Sequence, residues 1–104
     1  MVTCCALEIW DESMRTVHWH PNASELGYVI SGTLEITLWL SPGETSVFTV
    51  GEGVCWFIPQ GALHSLSNMG KDKAEILVGF SSDLPQNVDL PIAMNGVPVL
   101  LRNA

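Results

Sequence analysis

Basic side chains are scarce in this sequence. Its 104 residues include four lysines and arginines against eleven aspartates and glutamates, which gives a formal net charge of −7. Because binding to a phosphate backbone requires a positively charged surface, nucleic acid is not an expected partner. An anionic small molecule would be repelled by the chain as a whole, so it could bind only where a metal ion or an arginine reverses the local potential.

Long apolar runs are also missing. No run approaches the roughly 18 residues that a membrane-spanning helix requires, and residues 1–5 lack the basic start and apolar stretch of a secretory signal. We therefore expect a cytoplasmic protein without a membrane partner. Apolar residues make up 47% of the chain and charged residues only 14%, a balance typical of a folded domain rather than a disordered segment.

Cysteine is sparse, and its three copies are Cys4, Cys5 and Cys55. Three thiols cannot all pair within one chain, and the adjacent Cys4 and Cys5 are poorly placed for a structural disulfide. We interpret them as reduced thiols that mostly fill the core, which agrees with a cytoplasmic location. The alternative is a metal site at Cys4-Cys5, but no second thiol pair accompanies it.

Helical periodicity is absent as well, whereas nine glycines and six prolines separate many short segments. In residues 33–40 polar and apolar side chains alternate until Trp39, the pattern of a half-buried strand. Strands are predicted at 6–10, 14–20, 26–30, 33–40, 47–50, 54–58, 63–67 and 74–80. This spacing predicts one all-β domain over residues 1–104, a sandwich or closed barrel with its core in about 6–80. Residues 81–104 are expected to form a covering loop and a docking tail.

Histidine is also rare, but two of its three copies stand beside a carboxylate. His18 and His20 project from the same face of a strand, because successive side chains alternate faces. Turn residues follow at 21–22, and Glu25 then begins another strand. Two imidazoles and a carboxylate can thereby converge on a divalent metal ion.

Two spaced motifs resemble those of the cupin superfamily. The first, HxHx4Ex6G, is matched by His18, His20, Glu25 and Gly32. The second, Gx5PxGx2Hx3N, is matched by Gly53, Pro59, Gly61, His64 and Asn68. The glycine that usually stands six residues before the first histidine is Glu12 here, so the geometry of that turn stays open. The resemblance implies a jelly-roll barrel of two antiparallel sheets, with one metal ion bound by His18, His20, Glu25 and His64.

Three imidazoles and one carboxylate form a mixed nitrogen and oxygen ligand set. Such a set leaves two positions of an octahedral ion for water or substrate, whereas structural zinc sites are closed four-coordinate cages. It suits Mn, Fe, Co, Ni or Zn and does not select sharply among them. The resemblance favours Mn(2+).

Shorter stretches narrow the resemblance to the germin and oxalate decarboxylase branch. The sequences HWHPN at 18–22, SEL at 24–26 and VISG at 29–32 are similar to oxalate decarboxylases. The sequences FSSDLP at 80–85 and VPVL at 97–100 are similar to germins. This branch implies a metal-dependent enzyme that acts on a small carboxylate such as oxalate, by decarboxylase-like or oxidase-like chemistry.

The resemblance to oxalate decarboxylases also makes Arg15 the candidate catalytic residue. In oxalate decarboxylases an arginine three residues before the first histidine binds the substrate carboxylate, and Arg15 stands at that offset from His18. Strict alternation would turn Arg15 to the face opposite His18, so an inward side chain requires a bulge or a strand start. A surface arginine is the alternative.

The proton donor of the decarboxylases, a glutamate, is not found. The corresponding lid region, residues 82–89, reads SDLPQNVD, so Asp83 or Asp89 would have to replace it. Two alternative hypotheses about function therefore remain in addition to an oxalate enzyme. One is a metal-dependent small-ligand binding or sensing module without turnover, and the other is a dioxygenase or isomerase that acts on another small substrate.

The first predicted strand, 6–10, would form an apolar edge near the start of the chain. Proteins usually cover such edges, because an unpaired strand templates aggregation. A second copy is the commonest cover. We therefore expect a homodimer held by sheet edges and this N-terminal strand.

Overall fold

A computed structural model describes residues 3–96 of the chain. Nine strands dominate this part, and they are β1 (Thr3–Ile9), β2 (Met14–Trp19), β3 (Glu25–Ser31), β4 (Thr33–Ser41), β5 (Glu44–Gly51), β6 (Cys55–Ile58), β7 (Leu63–Asn68), β8 (Ala74–Phe80) and β9 (Val88–Asp89). They are followed by one short helix, α1 (Leu90–Ala93), and a 3-10 turn at Met94–Gly96. In this described part, no helix has both the length and the apolar character needed to cross a membrane.

The strands form two antiparallel sheets. One has four strands in the order β1-β8-β3-β6, and the other has five in the order β5-β4-β7-β2-β9. Strands β2 and β3 are consecutive in the chain but lie in different sheets, as do β5 and β6. These crossings between two facing sheets are typical of a jelly roll. The predicted all-β fold with two antiparallel sheets is confirmed.

The core lies between the sheets and follows strand alternation. In β4, Leu34, Ile36 and Leu38 are buried, while the residues between them are partly exposed. From the facing sheet, Val29 and Ile76 are completely buried. Burying one side chain of this size contributes about 1.5–3 kcal/mol. The apolar layer that holds the two sheets together therefore contains none of the predicted metal ligands.

Gly27 on β3 illustrates how closely this layer is packed. A Cβ atom at this position would lie 2.0 Å from the ring of Trp56, so only glycine allows the indole to lie against the strand. Trp56 is buried there, and its indole N–H donates a hydrogen bond to Glu25. A glycine in a strand thus places an aromatic ring that supports the candidate site.

The turn between β1 and β2 contains the one non-glycine residue with a positive φ in the described part of the chain, Glu12 at 55°. It is also the position where cupins usually have glycine. Asn68 holds the nearby strand ends together. Its amide group donates to the carbonyls of Ile9 and Asp72, both at 2.8 Å, and its oxygen accepts from the N–H of Gly70.

The segment after β8 differs from the expected plain loop. Residues 81–87 do form a loop, which is hydrogen-bonded to Asn22 and Ser24, but Val88–Asp89 pairs with β2, and α1 follows at once. The local signals are weak: β9 has only two residues, and α1 has a proline in its first turn but no side-chain cap hydrogen bond. Both depend on β2 as a neighbour, which a local pattern cannot reveal. The predicted docking tail at 97–101 lies outside the described residues.

Candidate metal centre

The structure brings together the four residues predicted as metal ligands. His18 on β2 lies opposite His64 on β7, His20 directly follows β2, and Glu25 begins β3 in the facing sheet. One ligand atom from each residue lies within 4.8 Å of the others. All four side chains are nearly inaccessible to solvent, with exposures of 0–6%. Burying four titratable groups in one place is costly unless charges and hydrogen bonds compensate one another.

Each imidazole is oriented by a backbone carbonyl. Nδ1 of His18 lies 2.7 Å from the carbonyl oxygen of Thr16, and Nδ1 of His64 lies 2.9 Å from that of Ala62. Nδ1 of His20 lies 3.0 Å from the carbonyl oxygen of Gln86. A carbonyl only accepts, so each Nδ1 must carry the proton and donate. The Nε2 lone pair of each neutral ring is therefore available to a metal ion.

Glu25 faces two of these rings. Its Oε2 accepts the indole N–H of Trp56 at 3.0 Å, while its Oε1 lies 3.2 Å from Nε2 of His20 and 3.3 Å from Nε2 of His64. With no proton or cation between them, the lone pairs of Oε1 and of each Nε2 would repel each other at these distances. A positive charge between them, either an imidazolium proton or a metal cation, removes the conflict. One cation satisfies both contacts together, so the residues fit a metal ion.

The pKa values agree with this ligand set. Burial lowers the pKa of His18 to about 4, although the carbonyl of Thr16 partly opposes the shift, so this ring is neutral at pH 7. Burial alone would raise the pKa of Glu25. The close contacts with His20 and His64 and the hydrogen bond from the indole of Trp56 outweigh that effect and hold the pKa of this carboxyl well below its usual range. A neutral imidazole and an ionised carboxylate are the forms that bind metal.

A cavity of about 230 Å³ adjoins the centre. Three of the ligands line it, together with Arg15 and Asn87, and the remaining wall is apolar, formed by Leu7, Leu66, Val78, Phe80 and Pro85. A space of this size accommodates a small molecule of a few heavy atoms. The apolar wall lowers the local dielectric constant, which strengthens the attraction between a bound anion and nearby cations.

Arg15 is placed at this cavity by an irregularity in β2. The register between β2 and β7 shifts between Arg15 and His18, as in a β-bulge. The guanidinium donates to the carboxylate of Asp89 at 2.5 Å and to the side-chain oxygen of Asn87 at 2.8 Å. It is one-third exposed. Arg15 therefore lines the cavity while its charge is already paired within the chain.

The two aspartates considered as proton donors differ in environment. The hydrogen bond from Arg15 holds the pKa of Asp89 below its usual value, so this group is a carboxylate rather than an acid at neutral pH. Asp83 is exposed to solvent and does not line the cavity. Within the described part of the chain, Glu25 is the only carboxyl group that lines the cavity.

Residues 81–89, which we call the strap, are hydrogen-bonded to the segment that contains His20 and Glu25. The side chain of Asn22 donates to the carbonyl of Leu84 at 3.0 Å and accepts from the N–H of Gln86 at 2.7 Å. The N–H of Ser24 donates to the hydroxyl of Ser81. The support that the carbonyl of Gln86 gives to His20 could not be predicted from the sequence, because any residue type can supply a backbone carbonyl.

The cysteines do not belong to the metal centre. All three are free, and Cys4 and Cys55 are exposed, so the prediction that they mostly fill the core is wrong for these two. Only Cys5 packs partly against the core. Cys4 and Cys5 are consecutive on β1 and point to opposite faces, which prevents them from binding one ion together. The metal-binding group found in residues 3–96 contains no thiol.

A larger groove of about 690 Å³ shares no lining residue with the cavity beside the metal centre, and its walls include Val17, Trp39, Leu63 and Leu90. None of the residues that line it is titratable. It lacks the acids, bases and ligands that catalysis needs. The smaller cavity beside the metal centre is therefore the candidate functional site.

The family model described as Cupin matches residues 3–103. The chain belongs to the cupin family. Relatives of this cupin include the "Rhicadhesin receptor" of Pisum sativum, which is 30% identical over 83% of this chain, and "Germin-like protein 1" of Brassica napus, which is 31% identical over 99%. "Oxalate decarboxylase OxdC" of Bacillus subtilis (strain 168) is 33% identical over 75% of the chain.

The cupin spans about half or less of these relatives, namely 40%, 51% and 20% of their respective lengths. A solved structure of oxalate decarboxylase from Bacillus subtilis superimposes with a TM-score of 0.92 at 26% identity, and the match covers 98% of this cupin and 27% of that chain. The chain is thus a cupin domain related to germin-like proteins and oxalate decarboxylase. It carries a metal-binding group of three histidines and one glutamate.

Proposed function

We propose that this cupin binds one divalent metal ion, with manganese as the first candidate, and acts on a small carboxylate such as oxalate. Iron, nickel, cobalt and zinc are the alternative ions. The observation that carries the proposal is the convergence of three imidazoles and Glu25 beside a cavity of about 230 Å³ with Arg15 in its wall. Mixed nitrogen and oxygen ligands suit these ions, and the relationship to oxalate decarboxylase supports the substrate class.

Different groups of the chain would perform separate tasks. When bound, the ion supplies Lewis-acid and redox chemistry. The guanidinium of Arg15 would donate charge-assisted hydrogen bonds to a carboxylate of the substrate. Leu66, Val78 and Phe80 would exclude water from the bound acid. The three backbone carbonyls at Nδ1 keep the rings in one tautomer and one orientation throughout.

Decarboxylation of oxalate to formate would depend on a group that donates a proton. When oxalate loses carbon dioxide, the remaining carbon must gain a proton to give formate. Asp89 is held as a carboxylate by Arg15, and Asp83 does not line the cavity. This favours a second candidate function, the metal-dependent binding of a small acid without turnover.

Metal analysis combined with an oxalate assay distinguishes the two functions. Purified protein is loaded with Mn(2+), its metal content is measured, and oxalate, formate and hydrogen peroxide are followed. Formate identifies a decarboxylase, and peroxide identifies an oxidase. Saturable binding of oxalate without consumption identifies the binding module. Protein that binds no divalent metal at equimolar concentration would contradict both candidates.

A further inference from the structure

The two oxygens of the Glu25 carboxylate have different partners. Oε1 lies 3.2 Å from Nε2 of His20 and 3.3 Å from Nε2 of His64, so it faces the imidazole nitrogens that would bind a metal ion. Oε2 accepts the indole N–H of Trp56 at 3.0 Å. One oxygen is therefore directed at the candidate metal centre, and the other is held by a tryptophan.

Trp56 reaches Glu25 because a glycine lies between them. In the antiparallel pair of β3 and β6, Gly27 is opposite Trp56, and Glu25 is opposite Ile58. Trp56 and Glu25 are thus diagonal neighbours on the inner face, a separation that an aromatic side chain can span. A Cβ atom on residue 27 would lie 2.0 Å from the indole, so the ring passes directly over Gly27. The glycine therefore gives the indole its path to the carboxylate.

The need to fill the core does not account for this contact. Trp56 is 4% exposed and Glu25 is 3% exposed. An apolar ring would fill the same space, whereas a buried indole N–H requires an acceptor. A buried carboxylate oxygen in turn requires a donor, because water cannot solvate it. If the indole N–H were absent, Oε2 would lose its protein donor and the carboxylate would be free to turn.

We propose that Trp56 is a positioning residue, whose indole N–H holds Oε2 so that Glu25 offers a metal ion Oε1 alone. With one nitrogen from each imidazole, the protein then supplies four ligand atoms. An octahedral ion keeps two positions for other ligands. Two free positions favour an acid that donates two oxygens, such as oxalate, over an anion that binds through one atom, such as azide. This preference rests on the proposed function, whereas the effect of Trp56 on metal binding does not.

The affinity for Zn(2+) tests the role of the indole N–H. Trp56→Phe keeps an aromatic ring in the core but removes the donor, and it should lower the affinity by about 10–100-fold, as does the loss of other groups that orient a ligand. Trp39→Phe is the matched control, because Trp39 lines the larger groove and not the cavity, and its affinity should be unchanged. Calorimetry measures the affinities, and circular dichroism verifies that both variants are folded. An affinity of Trp56→Phe equal to that of the wild type would overturn the proposal.

The same substitution in a Glu25→Ala background separates positioning from general support of the barrel. Zn(2+) is the probe because three imidazoles can still bind it when the carboxylate is removed. Trp56→Phe should no longer change the affinity in this background, because the indole acts through Glu25. A loss of the same size in both backgrounds would mean that Trp56 supports the barrel as a whole, and it would overturn the proposal.

The hydrogen bond can also be followed in the wild-type chain, so the test does not depend on the folding of a variant. Zn(2+) is diamagnetic, and the indole N–H of Trp56 therefore stays observable by NMR in the loaded protein. Its exchange with solvent deuterium should remain slow when Zn(2+) is added, because Oε2 stays on the indole. Faster exchange after loading would mean that both oxygens have turned to the ion, which contradicts the proposal.

The preference for two-oxygen acids is measured in Mn(2+)-loaded protein by calorimetry with oxalate and with azide. In Trp56→Phe the released Oε2 can take one of the two positions, so the ratio of the oxalate affinity to the azide affinity should fall by roughly tenfold or more. An unchanged ratio would overturn the preference. Oxalate that does not bind the wild-type chain would contradict the proposed function, while the Zn(2+) measurements would still decide whether Trp56 positions Glu25.

Discussion

At the scale of single residues, His64 combines complete burial with two polar contacts. Its Nδ1 donates to the carbonyl of Ala62, and its Nε2 faces Glu25. His64→Ala should lower the affinity for a divalent metal by more than about 100-fold, since removal of groups that only orient a ligand already costs 10–100-fold. The barrel should stay folded, because the apolar core does not include the site. Elemental analysis and circular dichroism measure the two effects.

Asn87→Ala is the control for this variant, because Asn87 lines the cavity but offers no imidazole or carboxylate. It should retain the metal. Equal metal content in wild-type protein and His64→Ala would show that the ion binds elsewhere.

Arg15 can be tested through the affinity for small acids in metal-loaded protein. Arg15→Ala should weaken the binding of oxalate by about 1–2 kcal/mol. This is less than the loss for a fully buried pair, because the guanidinium is one-third exposed and water screens part of its charge. Arg15→Lys should restore only part of the affinity, because an ammonium cannot form the planar two-pronged contact. Calorimetry with oxalate measures the affinities, and unchanged metal content in both variants is the control. Equal affinity in wild-type protein and Arg15→Ala would exclude a role for Arg15 in binding.

Asp89 competes with any acid for the same guanidinium. Its carboxylate accepts a hydrogen bond from Arg15 at 2.5 Å, so a substrate must displace it or share the arginine. Asp89→Asn removes the competing charge and should tighten oxalate binding by roughly tenfold, which corresponds to about 1.4 kcal/mol. Asp83→Asn is the matched control on the strap, because Asp83 is exposed and does not line the cavity. Weaker or unchanged binding in Asp89→Asn would mean that Asp89 positions Arg15 rather than competing for it.

At the scale of elements, the turn from β1 to β2 is strained at one residue. Glu12 has φ 55°, a region that costs a side-chain-bearing residue about 1–2 kcal/mol. Glu12→Gly should raise the free energy of unfolding by about 0.5–1 kcal/mol, because part of the gain is lost to the greater entropy of glycine in the unfolded chain. Denaturant unfolding measures the change.

Glu52→Gly is a suitable comparison for this turn variant. Glu52 also lies in an exposed turn, after β5, but its φ is not positive. Glycine should therefore destabilise the protein slightly at position 52 and stabilise it at position 12. The same sign of change at both positions would contradict the assignment of strain to Glu12.

At the scale of the whole molecule, the apolar core stabilises the fold, whereas the acidic charge affects which molecules can bind. The apolar core cluster between the two sheets includes none of the four predicted metal ligands, which are buried beside it. The net charge of −7 repels anions from the surface in general. Under the proposed function, an acid that reaches the cavity would be selected by local charge, from the bound metal and Arg15, against the field of the whole molecule.

The sequence alone determined the features that depend on local spacing. Alternation in residues 33–40 predicted strand β4, and the positions of His18, His20, Glu25 and His64 in two motifs predicted the cluster that the structure shows. These features can be predicted from the sequence because strand periodicity and motif spacing directly restrict which residue types occur at each position.

Features that depend on distant neighbours were visible only in the three-dimensional structure. The inward position of Arg15 requires a bulge in β2, and its charge is paired with Asp89, which lies 74 residues away in the chain. Cys4 and Cys55 lie on the outer face because of the register of β1 and β6 with the strands beside them. The residues that flank a cysteine or an arginine in the sequence show the same pattern whether its side chain points inward or outward. Its surroundings are set by strand pairing between remote segments, which leaves no signal in the residues nearby.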